Sequence, residues 1–106
     1  MKKRIRRNRV YIAGKVTGLS RITVYYNFEE EEKLLINSGY NILNPVKKCK
    51  SNWSYFRCMV VCIFYLIFYC NKISLLSNWQ DSKGAKIEYK IAKFLNYDVI
   101  NNKPCQ

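Results

Sequence analysis

The chain is predicted to fold as one small doubly wound α/β domain, of the Rossmann-like or flavodoxin-like kind. The sheet expected is mostly parallel, with four to five strands. Three observations lead there. Short apolar, β-branched segments alternate with longer helical ones along the whole chain, and that alternation buries best as a parallel sheet with helices on both faces. Its 106 residues are enough for one core and no more. Hydrophobic residues make up 49% and aromatics 15%, which excludes a disordered chain.

Val10-Tyr11-Ile12-Ala13 is β-branched and aromatic, and Gly14 stops it, so it reads as the first strand. Gly14-Lys15-Val16-Thr17-Gly18 follows as a loop with two glycines, a lysine and a hydroxyl. Such a loop can bring backbone N–H groups close to a phosphate or a sugar. It is no Walker A motif, because the glycine spacing and the Lys-Ser/Thr pair are wrong. A steric role for these glycines is the plain alternative.

Tyr25 to Ser38 reads as a helix with Phe28, Leu34, Leu35 and Ile36 on its apolar side, and Gly39 as its stop. Glu29 to Glu32 fall in the N-terminal half of that helix, where the dipole favours negative charge, and read as a solvated face. Tyr40 to Leu43 is the second strand, ended by Asn44-Pro45. Val46 to Ser54 is a polar, basic excursion. Tyr55 to Tyr69 is the most apolar part of the chain and reads as a helix buried on the sheet; the uncharged run Cys58 to Cys70 is too short for a comfortable membrane span. Lys72 to Leu76 is the third strand, Lys83 to Leu95 the third helix, and Tyr97 to Ile100 the fourth strand. Residues 1–9 are then a basic arm, 10–100 the domain, and 101–106 a loose tail.

The stretch with most chemical promise is Trp79-Gln80-Asp81-Ser82-Lys83-Gly84-Ala85-Lys86-Ile87-Glu88. It turns from a buried strand into a helix, where backbone N–H groups are free and attract anions. Glu88 lies within the first two turns of that helix. This turn and the Gly14 to Gly18 loop both follow strand ends, so they are expected on one edge of the sheet, where ligands bind in such folds.

Charge and cysteines narrow the partners. The formal charge is +12, but six of the 19 basic residues precede Val10 and four of the seven acids form one block. The rest of the chain is mildly basic, which suits phosphate-bearing ligands and also weak contact with nucleic acid through the arm. There are five cysteines and no histidine. Cys58 and Cys62 share a helix face, but no C-x-x-C or Cys/His pair is present, so no metal site is expected. The odd count, with no secretory signal, points to a reducing, cytoplasmic setting.

Several of these residues together resemble a known family. They are Tyr11-Ile12-Ala13-Gly14-Lys15-Val16-Thr17-Gly18-Leu19, Gly39-Tyr40 with Asn44-Pro45, and Leu75-Leu76 followed by Trp79 through Glu88. The chain resembles the domain of unknown function 4406 family, common in phages and bacteria and grouped with nucleoside 2-deoxyribosyltransferase-like proteins. The resemblance covers nearly all of Val10 to Ile100. It implies that Ser82, Gly84 and Glu88 match an S/D-x-G-x-x-x-E pattern in which the glutamate attacks the anomeric carbon of deoxyribose. Serine at the first position is the form found in monophosphate-using hydrolases, where it contacts phosphate. Tyr11 and Gly14 match residues lining the sugar and phosphate pocket.

The resemblance thus implies an N-glycosidase or transferase acting on a nucleotide or nucleoside, with no cofactor and no membrane. Glu88 would be catalytic, with Tyr11, Gly14, Lys15, Thr17, Gly18, Trp79, Ser82 and Gly84 around the substrate. Relatives are commonly homo-oligomers, and the apolar Cys58 to Cys70 run predicts at least a homodimer. The pattern departs in one respect: active relatives carry an aspartate on the helix before the third strand, where this chain has Cys62-Ile63, and Cys70-Asn71 stands where Cys-Asp is frequent. No general acid is assigned. The alternatives are a non-catalytic nucleotide or sugar-phosphate binder, and a helix turn in which Ser82 and Glu88 only cap and orient.

Overall fold

A computed structural model describes residues 8–50 and 52–100. The arm up to residue 7 and the tail 101–106, on which the nucleic-acid and loose-tail expectations rest, lie outside the described residues. Four strands form one all-parallel sheet: β1 (Arg9–Ala13), β2 (Asn41–Leu43), β3 (Cys70–Leu75) and β4 (Asp98–Ile100). Their order is β2-β1-β3-β4. Three helices connect them: α1 (Arg21–Asn37), α2 (Tyr55–Tyr69) and α3 (Lys83–Phe94).

The expected doubly wound architecture is therefore present, and side-chain alternation along β1 shows how it is built. Val10 and Ile12 face α1 and pack with Val24, Phe28 and Leu35. Tyr11 and Ala13 face the other way, into a core with Cys62 and Leu66 of α2 and Ala85 and Ala92 of α3. Val10, Tyr11, Ile12 and Ala13 are all buried and only Arg9, at the start of the strand, is exposed, as a central strand covered on both faces requires. Ile73 and Leu75 of β3 extend the α2/α3 side of the core.

Each helix starts on a serine. The Ser20, Ser54 and Ser82 hydroxyls accept from the backbone N–H groups of Thr23, Arg57 and Ala85, satisfying donors that a first helical turn leaves open. α1 ends where Tyr40 N–H bonds the Leu35 carbonyl and Gly39 N–H bonds Ile36, with Gly39 at φ 94°, a left-handed conformation that glycine adopts without strain. α2 passes straight into β3 with no loop between them.

Two expectations about α1 need correction. The helix begins at Arg21, four residues before the predicted Tyr25, because Ser20 supplies the cap. The glutamates consequently sit mid-helix, away from the favourable end of the dipole. Nor is the block a solvated face. Glu31 falls on the stripe Val24, Phe28, Glu31, Leu35 that α1 buries, and it accepts a 2.7 Å hydrogen bond from Ser74 of β3. Glu32 accepts from the Asn44 side chain at 2.9 Å and meets Lys47 at 3.2 Å. These carboxylates tie α1 to the sheet and to the short 3-10 turn Pro45–Lys47.

Candidate functional site

In a sheet ordered β2-β1-β3-β4, the chain leaves β1 for α1 on one face and leaves β3 for α3 on the other. Between their carboxyl ends the connections diverge and a crevice opens. Its rim is closely held: Leu76 N–H bonds the Ala13 carbonyl at 2.9 Å, and Lys15 N–H bonds the Asn78 side-chain oxygen at 3.0 Å. The two loops singled out in the sequence thus share one edge. Gly14 is required there, because a Cβ would stand 2.3 Å from Leu76 Cδ1. A cavity of about 510 Å³ occupies the crevice, the size range of small-molecule sites.

Glu88 comes from the second turn of α3 and is 6% exposed. The Tyr11 hydroxyl, from the middle of β1, donates to its Oε2 at 2.5 Å. Burial pushes the Glu88 carboxyl up to about 7, and the Tyr11 bond pulls partly against this. Burial, and then the charge of Glu88, raise the Tyr11 phenol well above its ordinary value, so Tyr11 stays the donor. The pair holds a carboxyl group that is poised to exchange its proton near neutral pH.

Tyr11, Gly14, Thr17, Ser82, Gly84 and Glu88 line the cavity together. Lys15, Gly18 and Trp79 do not line it. Lys15 contributes its backbone N–H to the rim, Gly18 makes the turn at φ 91°, and the Trp79 ring packs on Tyr89 at 4.8 Å between centroids. Ser82 reaches the cavity while its hydroxyl accepts the cap bond from Ala85 N–H at 3.1 Å. Gly84 lets the start of α2 approach α3, since a Cβ there would lie 3.0 Å from the Tyr55 hydroxyl and 3.1 Å from Met59 Sδ.

The remaining walls come from residues that sequence reasoning did not single out. Arg21 and Lys50 line the cavity as cations, against Glu88 as its one carboxylate among the described residues. Tyr25, Phe28, Tyr55 and Met59 supply apolar surface. The signal for part of this was present: Tyr55, Met59 and Cys62 recur at helical spacing on one face of α2. Asp81, the other acid near the turn, is exposed and is not in the cavity wall.

The cavity wall also contains sulfur. Cys49 and Cys58 form a disulfide, and Cys62 Sγ lies 3.6 Å from Cys49 Sγ and 3.9 Å from Cys58 Sγ. Burial, then the charge of Glu88, push the Cys62 thiol up to about 11. Reading the cysteines by local spacing missed this cluster, because Cys49 arrives from the loop before α2.

With this geometry in view, sequence similarity can be placed on it. Residues 8–101 match the family described as Domain of unknown function (DUF4406). The chain belongs to that family. The match spans β1 through β4, so both loops, the cavity and the Tyr11–Glu88 pair fall within the family's domain. No curated protein shows detectable similarity to the chain. Among the described residues of this family member, no helix is long and apolar enough to cross a membrane.

Proposed function

We propose that the cavity takes a nucleotide, and that Glu88 attacks the anomeric carbon of its sugar, as in nucleoside 2-deoxyribosyltransferase-like enzymes. One observation carries this reading. A buried carboxyl, held by a tyrosine and pushed up to about 7 by burial, stands in a cavity whose other charged residues, among the described ones, are Arg21 and Lys50. The cations suit a phosphate, the aromatic and apolar wall suits a base, and the carboxylate suits the sugar between them.

In the reaction, a Glu88 oxygen forms a bond to the anomeric carbon as the bond to the base nitrogen breaks, its electron pair leaving with the base. The resulting glycosyl ester is resolved by water, giving hydrolysis, or by a second base, giving transfer. Tyr11 orients the carboxylate. Ionised Glu88 is the nucleophile, so the rate rises with pH through about 7.

The test is incubation of the pure protein with deoxynucleoside monophosphates, with and without a second base, followed by chromatography for free or exchanged base. Release that falls by orders of magnitude in Glu88→Ala supports the proposal. No release from any substrate, or release unchanged in Glu88→Ala, removes it.

A second reading is a non-catalytic nucleotide or sugar-phosphate binder. It is favoured by Glu88 being the one carboxylate among the described cavity residues, because glycosidic chemistry ordinarily uses a pair. Calorimetric binding of a monophosphate without turnover would select it. For partners, we infer a second copy of the chain, meeting the exposed stripe Phe56, Val60, Phe64 and Phe68 along α2, an apolar face that a small domain leaves in water only at a cost.

A further inference from the structure

Beside Glu88, the cavity wall holds a feature that the glycosidic reading does not use. Cys49, Cys58 and Cys62 bring their sulfurs within 4.8 Å of one another, and all three residues line the cavity. They come from two parts of the chain. Cys58 and Cys62 are four residues apart on one face of α2, and Cys49 follows the 3-10 turn that Asn44 caps, its side chain accepting from Val46 N–H at 3.1 Å.

We propose that in the reduced protein these three cysteines bind one thiophilic divalent cation of the zinc class, with its fourth coordination position open to the cavity. The distances support this. Two thiolates on a zinc ion at about 2.3 Å, in a tetrahedron, stand about 3.8 Å apart. Cys62 already lies 3.6 Å from Cys49 and 3.9 Å from Cys58. Only the Cys49–Cys58 edge has to open, and both side chains border empty volume into which they can turn.

The ligand chemistry narrows the ion. The chain has no histidine and the three clustered ligands are all cysteine sulfurs, a set that selects zinc-like or softer ions over magnesium or calcium. Three protein ligands leave a position for water or a ligand atom, as catalytic rather than structural zinc sites do.

Disulfide and metal exclude each other, because both use the Cys49 and Cys58 sulfurs. Passing from one to the other needs a dithiol reductant. It gives two electrons and two protons to the disulfide and is itself oxidised to a disulfide. The three thiols then release their protons as the ion binds. This inference is independent of what Glu88 does, and its test reads no glycosidic activity.

The experiment uses the full chain, reduced and kept free of oxygen, titrated with cobalt(II) as a spectroscopic stand-in. Expected are sulfur-to-cobalt charge-transfer bands and a tetrahedral ligand-field spectrum saturating at one ion per chain, bleached by zinc(II). Zinc should also protect three thiols per chain from a thiol-reactive dye.

Cys49→Ser and Cys58→Ser should each weaken binding at least tenfold, whereas Cys70→Ser and Cys105→Ser should leave it unchanged. Cys62 is buried and its replacement can disturb packing, so Cys62→Ala is read by circular dichroism as well as by cobalt. Absence of the bands in the reduced wild-type chain overturns the proposal. So does full binding by Cys49→Ser, by Cys58→Ser or by folded Cys62→Ala, or re-formation of the Cys49–Cys58 disulfide in the presence of equimolar zinc.

Discussion

Replacing Glu88 by glutamine should stabilise the protein in neutral and alkaline solution and leave it nearly unchanged in acid. Burial raises the Glu88 carboxyl from 4.5 to about 7 in the folded state. A carboxyl whose folded pKa lies above its unfolded one binds more protons when folded, so its ionisation opposes folding. Its effect is absent below pH 4.5, where both states are protonated. It grows as the pH rises from 4.5 to about 7, and is constant above that. At about 1.4 kcal/mol for each unit between the two values, the full cost is roughly 3 kcal/mol. Glutamine has the same shape, keeps a partner for the Tyr11 hydroxyl and carries no charge.

Urea denaturation from pH 4.5 to 8.5, followed by tryptophan fluorescence, measures both proteins. Subtracting the curves cancels every other titrating group, because only one side chain differs. The difference in unfolding free energy should climb from near zero to about 3 kcal/mol in favour of Glu88→Gln, and flatten above neutrality. A difference independent of pH would refute the reasoning, since Glu88 would then ionise alike in the folded and unfolded chains.

Other consequences follow from neighbouring contacts. Tyr11→Phe removes the donor that steadies ionised Glu88, so stability above neutral pH should fall by about 1.5–3 kcal/mol, with a smaller loss in acid, in the same denaturation series. Ser74→Ala takes from Glu31 a buried hydrogen bond and should cost about 1–3 kcal/mol, read as a lower urea midpoint at unchanged slope. Gly14→Ala places a methyl against Leu76 and should destabilise by about 1–3 kcal/mol; on the proposed reading of the cavity, calorimetry should also find weaker nucleotide binding, because the crevice rim must shift. If α2 forms the contact between copies, light scattering at micromolar concentration should find at least a dimer for the wild type and monomer for Phe64→Lys.

Much of the scaffold was legible in local patterns, and the limits have a local cause too. The limits of α2 at Tyr55 and Tyr69, and the start of α3 at Lys83, were readable because each rests on a serine cap or a continuous apolar run. The start of α1 is not legible in the local pattern, since the β-branched Ile22 and Thr23 have weak helical character and the Ser20 cap places them in the helix. A helix begun at Tyr25 puts the glutamates near its N-terminal end, whereas the helix begun at Arg21 sets Glu31 on its buried stripe. Glu31 is spaced from Phe28 and Leu35 as a core residue would be, yet a charged side chain at a core position is read as solvated unless its partner is known. That partner, Ser74, is 43 residues away.

The sequence by itself determined the alternation of strands and helices, the two glycine- and serine-bearing turns, and the place of Glu88 in the helix that follows the second of them. These follow from periodicity and turn chemistry within a few residues, which a linear reading can see. The tertiary structure decided what those parts meet. Strand order brought β1 beside β3, and so placed Tyr11 against Glu88 across 77 residues of chain. It set Arg21 and Lys50 in the cavity wall in place of Lys15, turned Trp79 onto Tyr89, and delivered Cys49 to Cys58 and Cys62. Convergence of this kind depends on strand order and on the packing of helices against the sheet, and no short segment encodes either.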